Sequence, residues 1–108
     1  MSTLVKDLNG VSIQCDMDYG KYVINGVNYV PCTLTTKNAE LVLKVLSNYL
    51  TKNPHYSSVT LRLLTSNSLE IRIPRTLLDA GESFGEFVDL LLHMIIGIRE
   101  CAALIGVK

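Results

Sequence analysis

The stretch Val59-Thr60-Leu61-Arg62-Leu63-Leu64-Thr65-Ser66-Asn67-Ser68-Leu69-Glu70-Ile71-Arg72-Ile73 alternates aliphatic and polar residues on both sides of a short polar break. Alternation at period two predicts two half-buried strands, and the break predicts a hairpin turn. Turning at Thr65-Ser66-Asn67 puts Val59, Leu61, Leu63, Leu69, Ile71 and Ile73 on one face and sets Arg62 across from Glu70. Upstream the period changes to that of a helix. Ala39, Val42, Leu43, Leu46, Tyr49 and Leu50 recur at helical spacing, with Thr36 as the expected N-cap, Glu40 and Lys44 as an i,i+4 pair, and Asn53-Pro54 as the stop.

Further upstream, Leu8-Asn9-Gly10-Val11 and Ile24-Asn25-Gly26-Val27 each place Asn-Gly between apolar residues. A two-residue type I′ turn needs positive φ at both central positions, which Asn and Gly tolerate, so each string predicts a tight hairpin. The first register pairs Leu8 with Val11 and Leu4 with Cys15, and the second pairs Tyr22 with Tyr29. Together they predict a four-stranded meander. Downstream of Pro74, Ser83-Phe84-Gly85-Glu86 has the capping-box pattern, and a second helix is expected from there to about Ile105, with Gly106 at its C-terminal stop. The order ββββ-α-ββ-α predicts one α+β domain over residues 1–108, with a mainly antiparallel sheet of about six strands and two helices on one face.

Composition narrows the functional classes. Ten basic residues balance ten acidic ones, so the chain lacks the overall positive field of a nucleic-acid binder. The aromatics are too few and too committed to packing for a base-stacking platform. Cys15, Cys32 and Cys101 are odd in number and far apart in sequence, which predicts neither a disulfide framework nor a zinc site. The first residues lack a secretory pattern, and the most apolar run, Phe84 to Val107, is interrupted by Glu86, Asp89, His93, Arg99 and Glu100. These features lead to the expectation of a cytoplasmic protein without a membrane segment.

The last helix is apolar around most of its circumference. Phe84, Phe87, Leu91, Met94, Ile95, Ile98, Ala102 and Ile105 form the face expected on the sheet. Val88, Leu92, Ile96, Arg99 and Ala103 form a second seam beside it, read here as a homodimer interface about a two-fold axis. Charge is unevenly distributed, because Lys37 to Arg75 carries six basic and two acidic groups whereas Asp79 to Glu100 carries one basic and five acidic. Arg62, Arg72 and Arg75 are the candidate anion-binding patch. Tyr19 and Tyr56, in expected loops, are candidate anchors for a protein partner.

Little in the sequence points to catalysis. Asp89 and His93 are one helical turn apart, the spacing at which a carboxylate could orient an imidazole, but no nucleophile motif accompanies them. Asp16, Asp18 and Gly20 begin like a calcium loop, yet Val27 stands where the bidentate Glu would be. No phosphate loop or metal motif is present, and no cofactor is expected. The sequence therefore predicts a small non-enzymatic binding protein, of the accessory or virus-encoded kind by size, acting as an adaptor or inhibitor through contacts with another protein. A phosphate-ligand or nucleotide sensor built on the three arginines is the alternative, and an enzyme around Asp89 and His93 a third reading.

Overall fold

The computed structural model describes residues 3–16, 23–24, 26–75 and 84–106. Six strands and two helices appear in the order β1 (Thr3–Leu8), β2 (Val11–Asp16), β3 (Val23–Ile24), β4 (Val27–Thr35), α1 (Ala39–Lys52), β5 (Thr60–Thr65), β6 (Ser68–Pro74) and α2 (Phe84–Leu104). A single 3₁₀ turn, Pro54–Tyr56, follows α1. The main sheet has five antiparallel strands in the order β1-β2-β4-β6-β5, and the two-residue β3 pairs with β4 beside it. The fold is α+β.

The first hairpin forms in its expected register, with Leu8 opposite Val11 and Leu4 opposite Cys15. Asn9 and Gly10 take φ of 48° and 80°, the left-handed pair that an I′ turn requires. The β5–β6 hairpin also keeps its register: Leu61 faces Ile71, Arg62 faces Glu70 and Leu63 faces Leu69. An irregularity between Leu63 and Thr65 absorbs Leu64, and the turn tightens to Ser66-Asn67. Ile24 pairs with Val27 as expected, but Asn25 of the second Asn-Gly string and Tyr22 of the Tyr22–Tyr29 pair lie outside the described residues. The meander itself does not form. β4 is nine residues long and runs through the centre of the sheet, between β2 and β6, while β3 meets only its first two residues.

Every central strand turns the same parity inward. Val11, Ile13 and Cys15 of β2, Val30, Cys32 and Leu34 of β4, and Leu69, Ile71 and Ile73 of β6 are all buried. Both helices cover this face, α1 over β5 and β6 and α2 over β1 and β2. Removing such aliphatic side chains from water contributes about 1.5–3 kcal/mol each before conformational entropy is counted. The opposite face of the sheet carries Gln14, Thr33, Glu70 and Arg72 and has no second layer among the described residues.

Two local expectations change. Thr36 is not the N-cap of α1. That position is Asn38, in the left-handed region with φ 56° and without a side-chain cap bond. A backbone carbonyl of the β5–β6 turn does the work instead: the Ala39 N–H donates to Ser66 O at 3.2 Å, and just before the helix the Thr36 N–H donates to Asn67 O at 2.9 Å. A tertiary contact thus replaces the local cap that sequence spacing suggested. At the far end of α2, Gly106 adopts φ 81° and donates to Ala103 O, the expected glycine stop. The Ser83 half of the capping box lies outside the described residues.

The cysteines are the second change. Cys15 and Cys32 are directly opposite on β2 and β4, with Cα atoms 4.0 Å apart, and form a disulfide inside the core. Sequence spacing concealed the pair because the long β4, not β3, is the neighbour of β2. A cross-link between residues 17 apart stabilises by restricting the unfolded chain, by about 3 kcal/mol in the loop-closure estimate. Urea unfolding with and without a reductant measures this directly. The midpoint is expected to fall on reduction, and coincident curves would show that the two sulfurs are not joined.

Candidate functional site

The helices position the most unusual surface of the molecule. Helix α1 buries Ala39, Val42, Leu46 and Leu50, one stripe at helical spacing. Leu41, Val45 and Tyr49 stand on the flank beside that stripe, at i, i+4 and i+8. Tyr49, expected in the core, is 43% exposed and Val45 44%.

Helix α2 is rotated relative to its expected orientation. Phe87, Val88, Leu91, Leu92, Ile95 and Ala102 are the buried positions, whereas Met94 and Ile98 are only partly covered and Ile105 is exposed. The cause is the β1–β2 hairpin. It reaches under the Val88/Leu92 side of α2, where Lys6 on the helix-facing side of β1 bonds Asp89 at 2.9 Å. Arg99 lies over the turn of this hairpin, with Nη1 3.7 Å from where a Cβ on Gly10 would be. The seam expected to pair two copies is therefore divided. Val88 and Leu92 are buried within one chain. Ile96, Arg99 and Ala103 line a shallow cleft against Asn9. The sheet covers this side of α2, not the first helix.

The opposite flank of α2 is left uncovered. Leu90, Met94, Gly97, Cys101 and Leu104 follow one another at spacings of four, three, four and three residues. Leu90 and Leu104 are exposed, Met94 and Gly97 half-buried, and Cys101 is an exposed free thiol. Between this flank and that of α1 runs a groove of about 530 Å³, lined by Leu41, Val45 and Tyr49 on one side and Leu90, Met94, Ile98, Cys101 and Ile105 on the other. Its walls are almost wholly apolar. The missing signal was available in the sequence. The spacing of Leu41, Val45 and Tyr49 differs from that of the core stripe, and the 4-3-4-3 repeat on α2 is a helix-packing pattern.

The remaining expected sites are dispersed or already satisfied. Glu70 meets both Arg72 at 3.0 Å and Arg62 at 3.4 Å, so two of the three candidate anion-binding arginines share a carboxylate within the protein. They line a cleft of about 340 Å³ with Thr60 and Leu61 on the sheet, and Arg75 follows at the surface after β6. Tyr56 is not a surface anchor. It is 9% exposed and packs its ring 5.2 Å from that of Phe87, tying the turn after α1 to α2. Tyr19, the other candidate anchor, lies outside the described residues, as do Asp18 and Gly20 of the calcium-like string.

The Asp89 carboxylate is not the partner of the His93 imidazole. The Asp89 carboxylate is engaged by Lys6, and His93 Nδ1 donates to the Asp89 backbone carbonyl at 2.7 Å. No cluster of three potential metal ligands occurs among the described residues, and no helix among them is long and apolar enough to cross a membrane. Compared with protein-family models, curated proteins and solved structures, the chain matches none.

The rotation of α2 has a direct consequence for mutagenesis. Leu92→Glu places a carboxylate where the side chain is 2% exposed and is expected to abolish the cooperative urea transition. Leu90→Glu, on the open flank, is expected to shift unfolding by no more than about 0.5 kcal/mol. Equal sensitivity of the two positions would contradict this orientation of the helix.

Proposed function

We propose that the protein is a non-enzymatic binding module that acts through contacts with a protein, and that the α1–α2 groove is its contact surface. The observation carrying this reading is a long apolar cleft left open between two helices that each bury one stripe on the sheet. Exposed contiguous apolar surface of this kind marks interaction sites. The 4-3-4-3 stripe on α2 is the spacing at which a further helix seats its side chains, which favours a polypeptide over a small apolar ligand. An adaptor or inhibitor role requires only that such a surface be occupied. The anion-sensing alternative is weakened by Glu70, which already neutralises part of the arginine patch. Catalysis is disfavoured by the engagement of Asp89 and His93 elsewhere.

The Cys15–Cys32 bond bears on location. Disulfides persist in oxidising compartments and are rare in a reducing cytosol, so the bond favours an oxidising setting over the cytoplasm expected from cysteine spacing.

A photo-crosslinking residue in place of Asn48, exposed on the outer side of α1, tests the proposal in extracts of the native host. Irradiation is expected to yield a polypeptide adduct that Val45→Glu and Leu90→Glu each abolish. An absence of polypeptide adducts, or adducts indifferent to both substitutions, would reject the groove as the contact surface.

A further inference from the structure

We infer that the occupant of the groove is a second copy of this chain, seated about a two-fold axis parallel to the helices so that each α1 lies over the α2 of the other. The inference rests on reading the groove as a protein-contact surface and adds the identity of the partner. Three observations support it.

The first is the direction of the helices. The start of α1 is tied to the Ser66-Asn67 turn, and the last turns of α2 lie beside the Asn9-Gly10 turn. The pairings Ser12↔Thr35 and Thr35↔Ser68 put both turns at one end of the sheet. At the other end Tyr56, just beyond α1, meets Phe87 in the first turn of α2. The helices are therefore antiparallel, so Lys52 is level with Glu86 and Lys37 with Glu100.

The second is charge. Lys37 and Lys52 lie at the two ends of α1, and Glu86 and Glu100 lie near the two ends of α2, Glu100 at the edge of the cleft against Asn9. All four are exposed, and none makes an ion pair among the described residues. A rotation about an axis along the helices preserves height and exchanges sides. It brings Lys52 to Glu86 of the partner subunit and Lys37 to Glu100 of the partner subunit, each pair occurring twice. A two-fold axis across the helices would instead stack α1 on α1 and α2 on α2, opposing like charges. The surface is thus self-complementary in one orientation, as an isologous interface must be.

The third is size and shape. Helices of 14 and 21 residues present a face of about 500 Å² per copy, or about 1,000 Å² in total, from standard helix dimensions. That lies at the lower edge of specific interfaces and fits a reversible dimer, not an obligate one. Gly97 keeps the groove wall low at its level, since a Cβ there would meet nothing within 4 Å, and the side chain of the second copy at that height is Leu41.

Light scattering of the purified full chain over a dilution series decides the matter. The expected mass is twice 11.9 kDa at high micromolar concentration, falling toward 11.9 kDa on dilution. Leu90→Glu is expected to give a monomer with an unchanged far-UV spectrum. Lys52→Glu and Glu86→Lys should each raise the dissociation constant about tenfold, and combining them should return it to within about threefold of wild type. A chain that stays monomeric at every concentration, or a dimer indifferent to Leu90→Glu, would overturn the inference. So would a charge-swapped double variant weaker than either single one. A monomeric wild type that still gives Leu90-dependent adducts with a different polypeptide at Asn48 removes self-pairing and leaves the groove as a binding surface. A dimer indifferent to Leu90→Glu, with no adduct at Asn48, removes both.

Discussion

The apolar face shared by β2, β4 and β6 has to be covered, and the rest of the structure follows from how two helices manage it. Strand alternation places Ile13, Leu34 and Ile71 on the same side of the sheet, and β4 at the centre joins the two hairpins into one surface. Each helix supplies one stripe to that surface: Leu46 and its helical neighbours from α1, Phe87, Leu91 and Ile95 from α2. The Cys15–Cys32 bond lies in the middle of this layer and fixes β2 against β4.

Coverage of the sheet also determines what remains open. Helix α2 has more apolar surface than one contact can use, and its rotation decides which part is left over. Burial of Val88 and Leu92 against the hairpin, with the Lys6–Asp89 pair at its edge, sets the rotation of the helix. The leftover surface consequently faces α1 from across a gap instead of facing away from it. This converts two separate amphipathic helices into a groove with apolar walls.

Local pattern carried much of the fold into the sequence. Asn9-Gly10 announced its own turn, and the Arg62–Glu70 pairing followed from alternation, because both depend on residues close together in the chain. The Glu40–Lys44 pair was legible for the same reason, and it forms at 3.5 Å. Features set by distant segments were not legible. The cap of α1 comes from Ser66, Cys15 meets Cys32 through a strand order that hairpin signals did not imply, and Tyr56 enters the core because Phe87 is there to receive it. The same limit applied to the candidate site. An excess of apolar residues on the last helix was visible, but choosing between its Leu92 side and its Leu90 side required knowing where β1 and β2 lie.

Side-chain accessibility in solution tests that division most directly. With methyl groups observed by NMR in dilute protein and a soluble paramagnetic agent added, the Val45, Leu90 and Ile105 methyls are expected to relax rapidly while those of Val88, Leu92 and Ile95 remain protected. Protection of the first set together with strong relaxation of Val88 and Leu92 would mean that α2 presents its other side to the sheet, and the groove described above would not exist.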